Sequence, residues 1–209
     1  MRATYFAIAE RLDANPVPGL TGSDFRMVTF VGLYGKTRYG STAQIWQSLL
    51  KSDTDAAKQQ VAATQELSPS DNALTVFLSV TCNDADWPED VETYRRHVAE
   101  DREKFPIFGA ATANIIPCAY WKHEPVEPRV PVNPEGSDIL ILQNLRDPVT
   151  PHRDAVALRE KFGERARLVS VDGSGHGVYV FGGNACALNT TTAYLVDGEL
   201  PAGDKLCEA

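Results

Sequence analysis

The chain has 209 residues, 43% of them hydrophobic and 23% charged, which is enough apolar material for one well-buried domain and too much for a disordered chain. Its formal net charge of -8 and pI near 5.0 exclude a nucleic-acid backbone as the natural partner, because that would demand a basic face to displace counterions. No stretch approaches the ~18 uninterrupted apolar residues of a membrane span, and the start meets Glu10 and Arg11 before an export signal could develop, so neither a membrane partner nor a signal within the chain is expected.

In chain order, the apolar spacing first predicts short amphipathic helices: residues 5–12, then 25–33 with Ser23 as the candidate cap, then a helix carrying Ile45, Trp46, Leu49 and Leu50 behind Thr42, then 54–64. Phe30, Tyr34 and Trp46, aromatics at helical spacing, read as core rather than as the lining of a pocket. Residues 73–80 form an apolar run whose period does not separate strand from helix. Residues 89–105 are charged on one side with Val91, Tyr94 and Val98 as the apolar stripe, the pattern of a solvated helix face. Pro106, Pro117, Pro125, Pro128, Pro131 and Pro134 then punctuate an extended connection over 105–136, in which helix survives at most over 109–116.

Beyond Pro134 the character changes. Residues 138–143, Asp-Ile-Leu-Ile-Leu-Gln, read as a strand covered on both faces. Thr150 as cap and Pro151 at the first helical position open a helix over 152–162, and residues 167–171 form the next strand. A helix from Asn184 to Leu195 ends before Gly198 and Pro201. The expected class is therefore α/β with few parallel strands, divided into a largely helical part with a Pro-rich connection over 1–134 and a strand-helix-strand-helix part over 135–209.

Cys82, Cys118, Cys186 and Cys207 show no C-x-x-C spacing, so a zinc site is disfavoured and disulfides are favoured. Four cysteines allow three pairings, of which the two local ones, Cys82 with Cys118 and Cys186 with Cys207, are preferred; four buried thiols in a cytosolic protein are the alternative. His97, His123 and His152 have no partner spacing suggesting a metal and read as surface residues. No cofactor is implied.

Two loops carry the chemistry. Asp147 follows the first strand within Asn144-Leu145-Arg146-Asp147-Pro148, and His176 follows the second within Gly173-Ser174-Gly175-His176-Gly177. Both open at the same edge of a parallel sheet, where such sheets present their sites. A carboxylate there can accept the Nδ1 hydrogen of the histidine and leave Nε2 free as a base, while the glycines flanking His176 permit a tight loop. Each residue alone is more often a turn element; together, one helix and one strand apart, they read as the acid and base of a Ser-Asp-His triad.

The stretches Ile141 to Pro151, Val171 to Tyr179, Gly183-Asn184-Ala185-Cys186 and Tyr194 to Gly198 with Leu200-Pro201 closely resemble the C-terminal region of secreted actinobacterial tripeptidyl aminopeptidases, serine peptidases of the α/β-hydrolase fold. The resemblance extends through Val80 to Asp84 and Pro117 to Trp121, and is looser in the first seventy residues, which look like that family's helical cap. It implies the C-terminal part of an α/β-hydrolase fold, Asp147 and His176 as catalytic acid and base, two local disulfides, a peptide substrate and secretion. An aminopeptidase also needs carboxylates for a free α-ammonium; Asp84 is the candidate, with a capping role near Cys82 as its alternative.

The departure from that pattern is the nucleophile. No G-x-S-x-G turn occurs: Ser174 is flanked two residues away by Asp172 and His176, and Ser41 by Tyr39 and Ala43. The expectation is an acid-histidine half that needs a complementary N-terminal half, or self-association, to cover an exposed strand edge. The competing expectation is a non-catalytic binding or interaction domain derived from an α/β-hydrolase.

Overall fold

A computed structural model describes residues 1–64, 70–122, 131–132 and 135–209. Among them the chain forms two compact units, Met1–Thr64 with Val132–Ala209 and Gln65–Pro131. This division is not a single cut at 134. Helices of the first sixty-four residues group with the C-terminal sheet, because the Tyr34 carbonyl takes the His176 amide at 2.7 Å and the Tyr39 hydroxyl donates to Ser174 Oγ at 3.0 Å.

The first unit begins with four helices, α1 (Arg2–Ala14), α2 (Gly22–Gly32), α3 (Tyr39–Leu50) and α4 (Thr54–Thr64). Their core is built by Tyr5, Ile8, Leu12, Leu20, Phe25, Ile45 and Leu49, all essentially buried, at the helical spacing the sequence shows. Trp46 packs on Tyr5 and Phe25 and donates its Nε1 to Thr29 Oγ1 at 3.1 Å, so it is a core residue.

Three expected caps move. Thr21, not Ser23, caps α2: its hydroxyl accepts the Asp24 amide while the Asp24 carboxylate accepts the Thr21 amide, a reciprocal box closed by Asp in place of the usual Glu or Gln. Thr42 lies inside α3, donating back to the Arg38 carbonyl, because a 3-10 turn at Lys36–Arg38 starts the helix a turn early. Pro151 occupies the cap of the helix after the first strand, and Thr150 turns its hydroxyl to Asp147 instead.

The remainder of this unit is a parallel three-stranded sheet in the order β1-β2-β3: β1 (Ile139–Arg146), β2 (Ala166–Ser174) and β3 (Lys205–Cys207), connected by α8 (His152–Phe162) and α9 (Ala185–Asp197). Val169 and Val171 of β2 pack with Val178, Ala187 and Cys207, and Leu140 and Leu142 lean on this cluster. The other face carries Gln143 and Ser170, which are register partners; there His152, half-buried, meets Ser170 Oγ through Nε2 at 2.8 Å, so it is not the free surface residue expected. β3 is the strand the apolar pattern does not reveal. It is held at β2 by Asp204, which accepts the Leu168 amide at 2.8 Å and the Arg159 Nε at 2.9 Å, and by the Cys186–Cys207 disulfide.

Among the described residues β1 pairs only with β2. Its apolar run from Ile139 to Leu142 consequently stays half-buried, whereas a strand with neighbours on both edges would be closed over.

In the second unit, residues 73–80 resolve as helix within α5 (Ser70–Asp84), followed by α6 (Val91–Lys104), the single turn α7 (Gly109–Thr112) and a 3-10 turn at Pro117–Tyr120. Cys82 and Cys118 are bridged, joining α5 to that turn, and Trp121 Nε1 donates to Asn83 Oδ1 at 3.1 Å beside the bridge. On α6, Asp90 caps the helix through the Thr93 amide and Tyr94 is buried; Val91 is exposed at the helix start, so the apolar stripe is shorter than expected. Pro125, Pro128, Pro134 and His123 lie outside the described residues.

Candidate active site

β1 and β2 are parallel neighbours, so their C-terminal ends lie at one sheet edge and deliver the loops that follow them to the same place. Asp147 is the residue after β1, and His176 is the second residue after β2. Their side chains meet: His176 Nδ1 stands 3.0 Å from Asp147 Oδ2 and 3.3 Å from Oδ1.

Asp147 is enclosed and His176 is open. The Asp147 side chain is 2% exposed and that of His176 43% exposed. A carboxylate without water must find donors elsewhere, and Asp147 finds them in its own turn. Its Oδ1 accepts the amides of Val149 at 2.8 Å and Thr150 at 3.0 Å, while Oδ2 accepts the Thr150 hydroxyl at 3.1 Å and Gln143 Nε2 at 3.0 Å. Gln143 is itself fixed by donating to the Thr150 carbonyl at 2.7 Å.

Burial alone would raise the Asp147 pKa, but the amides of Thr150 and Val149, then His176 and the Thr150 hydroxyl, outweigh it and hold the carboxyl below its usual range. The same charge, after burial, pushes the Tyr34 phenol up. Asp147 is therefore an anion at neutral pH, and its hydrogen bond to Nδ1 selects the tautomer with Nε2 unprotonated and able to accept a proton.

A depressed carboxylate pKa stabilises the fold above the unfolded value and stops doing so as pH falls through the folded value. Urea unfolding of the wild type and of Asp147→Asn from pH 7 to 3 should therefore show a stability gap that is widest near neutrality. The gap should close below roughly pH 4, the ordinary carboxylate range. A gap independent of pH would contradict the ionised, multiply bonded Asp147.

The His176 loop is held from the helices as well. The Tyr34 carbonyl takes the His176 amide, and the Tyr34 ring meets the imidazole edge-on at 5.8 Å between centroids, with Phe30 stacked edge-on behind it at 5.5 Å. Gly175 and Gly177 adopt φ of +91° and +85°, and a Cβ on Gly175 would stand 2.9 Å from the Tyr34 carbonyl oxygen. A side chain there would meet both backbone strain and collision.

Of the other residues singled out from the sequence, Asp84 is the exposed last residue of α5 and belongs to the second unit. His97 is exposed on α6. Among the described residues no group of three His, Cys, Asp or Glu side chains is arranged to hold a metal ion, and no helix is long and apolar enough to cross a membrane. Two disulfides fit a non-cytoplasmic, oxidising compartment.

No motif of the sequence assigns Gln143, Asn144 or Thr150 to this site. For the first two a signal is present: a Gln-Asn pair interrupts an otherwise apolar strand shortly before the acid, where polar side chains need a specific partner.

The family described as TAP-like protein matches residues 105–207. The tripeptidyl aminopeptidase of Streptomyces lividans is 30% identical over 183 residues, covering 83% of this chain and 33% of that protein, and the tripeptidyl aminopeptidase of Streptomyces coelicolor matches to the same extent. Serine protease Hip1 of Mycobacterium tuberculosis is 30% identical over 112 residues, 52% of this chain and 21% of its own. The chain thus spans about one third of the length of the tripeptidyl aminopeptidases it matches. Residues 105–207 therefore carry a TAP-like domain, the C-terminal part of an α/β-hydrolase fold, and the chain is similar over 183 residues to tripeptidyl aminopeptidases.

Proposed function

We propose that this chain supplies the acid and base of a secreted serine exopeptidase that cleaves peptides from a free N-terminus. The supporting observation is the enclosed Asp147 carboxylate bonded to Nδ1 of a half-exposed His176 at two adjacent strand ends. The peptide substrate and the free N-terminus rest on the names of the tripeptidyl aminopeptidases it resembles.

The nucleophile is supplied from a complementary N-terminal half, since residues 1–209 contain no G-x-S-x-G turn. That half docks by adding a strand to the outer edge of β1, whose half-buried apolar run has no strand neighbour on that side among the described residues. Self-association through the same edge is the competing occupant.

In the assembled site the serine Oγ attacks the peptide carbonyl and its proton passes to His176 Nε2; Asp147 remains ionised and stabilises the imidazolium. The imidazolium returns the proton to the leaving amine, and water, deprotonated by the same nitrogen, releases the acyl group and regenerates the serine.

The test is hydrolysis of tripeptide-coumarin substrates by this chain, alone and mixed with a polypeptide carrying the nucleophile turn. Turnover should appear only in the mixture and should be lost when the substrate N-terminus is acetylated. The absent nucleophile turn also favours a second reading, a non-catalytic binding domain, under which mixing produces no turnover.

A further inference from the structure

Near its end β1 carries a buried polar side chain that does not contact Asp147 or His176. Asn144 is 6% exposed, and its Nδ2 donates to the carbonyl of Gly175 at 3.0 Å and to that of Gly177 at 3.1 Å. These carbonyls flank His176 in the chain. Because a carbonyl only accepts, its partners fix which way the amide points: the nitrogen faces the loop. One side chain therefore donates both of its hydrogens to the backbone that presents the imidazole.

The local backbone is shaped to admit it. Register shifts between β1 and β2 just here, so that Asn144 pairs with Val171 but Arg146 with Ser174, which places an extra residue on β2. The irregularity brings Gly173 against the amide: a Cβ on Gly173 would stand 2.6 Å from Asn144 Oδ1. From the opposite side the Tyr34 carbonyl takes the His176 amide at 2.7 Å. The loop is thus fastened between the sheet, through Asn144, and the helices, through Tyr34.

We propose that Asn144 is a positioning residue for His176, locking the two carbonyls on either side of it so that Nδ1 meets Asp147 and Nε2 faces the open side of the site. The inference rests on His176 acting as the base. It goes beyond that assignment by giving a further residue of β1 control over the imidazole without contact to it. Loss of a buried double donor leaves two carbonyls unpaired and frees the loop to rotate the ring.

The measurement is long-range proton-nitrogen NMR of the imidazole in the labelled full chain. The wild type should show His176 as a single Nδ1–H tautomer with a slowly exchanging, low-field proton. Asn144→Asp keeps the size of the side chain but opposes a carboxylate to both carbonyls; the low-field resonance should vanish and the tautomers mix. Gly173→Ala keeps the asparagine and displaces its amide, and should produce the same loss. Gly173→Ala decides the matter if Asn144→Asp does not fold. A lost tautomer in either folded variant, with far-UV CD and amide shifts outside the loop unchanged, supports the positioning role, because a residue that only added stability would leave the ring as it was. Retention of the single tautomer in the folded variants overturns it. If the wild type itself lacks the Nδ1–H tautomer, the base assignment fails and this proposal falls with it.

Discussion

In the proposed two-part peptidase, replacing Asp147 with Asn is expected to lower kcat about 10⁴-fold, the scale seen when a triad acid loses its charge without moving, equivalent to about 5.5 kcal/mol of barrier. The hydrogen bonds around the carboxylate say why. Oδ1 is claimed by two backbone amides, Val149 and Thr150, so in the Asp147→Asn variant the amide oxygen must take that place and the NH₂ group the place of Oδ2. That NH₂ group, a donor, then faces Gln143 Nε2, the Thr150 hydroxyl and His176 Nδ1, all of which donate to the carboxylate of the wild type. The imidazole can satisfy it only by making Nδ1 the acceptor, which moves the hydrogen to Nε2 and removes the base. The loss should fall on kcat, with KM little changed, because the proposed role of Asp147 is to stabilise charge that develops in the transition state. A decrease smaller than about tenfold would contradict the assigned role.

Removing the Cys186–Cys207 bridge by the double change to Ser should cost about 3 kcal/mol from loop entropy alone, given its sequence separation of 21. The native side adds to this. β3 is three residues long with only Cys207 buried, and Cys207 lies in the cluster formed by Val169, Val171, Val178 and Ala187. Two hydroxyls would replace a disulfide in apolar surroundings, leaving β3 with its short pairing to β2, the Asp204 bonds and the Lys205 bond to Thr190. A fall of this size corresponds to a melting temperature lower by roughly 6–12 °C for a domain of this length. Near-UV circular dichroism during heating checks it, with the reduced wild type expected to melt no higher than the double variant. A change below about 1 kcal/mol would mean that β3 is held by something other than the bridge.

Where an apolar pattern repeats, the fold is legible in the sequence. In the first helix Tyr5, Ile8 and Leu12 recur on one face and are all buried, and the strand-helix-strand unit follows from two apolar runs separated by a proline-started helix. The meeting of Asp147 and His176 is legible from the same unit: a short loop after each parallel strand leaves its residues at a shared edge. The caps are less so. Whether Thr21 or Ser23 opens α2, or Thr150 or Pro151 opens α8, depends on which competing partner the hydroxyl finds, and Thr150 finds Asp147. β3 is hidden because Lys205-Leu206-Cys207 has no apolar run and owes its place to a disulfide and to the Asp204 carboxylate. The Gln143-Asn144 pair marks the strand as unusual, but its partners, residues 147, 150, 175 and 177, are not legible because only the turn and the β2 irregularity bring them together.

The most direct measurement is fluorophosphonate labelling, which reports an activated serine without requiring a known substrate. This chain alone should remain unlabelled, a polypeptide carrying the nucleophile turn should label weakly alone, and the mixture should label strongly at that serine. The strong labelling should disappear when the mixture contains His176→Ala. Labelling of this chain by itself, or labelling of the mixture that survives His176→Ala, would contradict the account of an acid and a base awaiting their nucleophile.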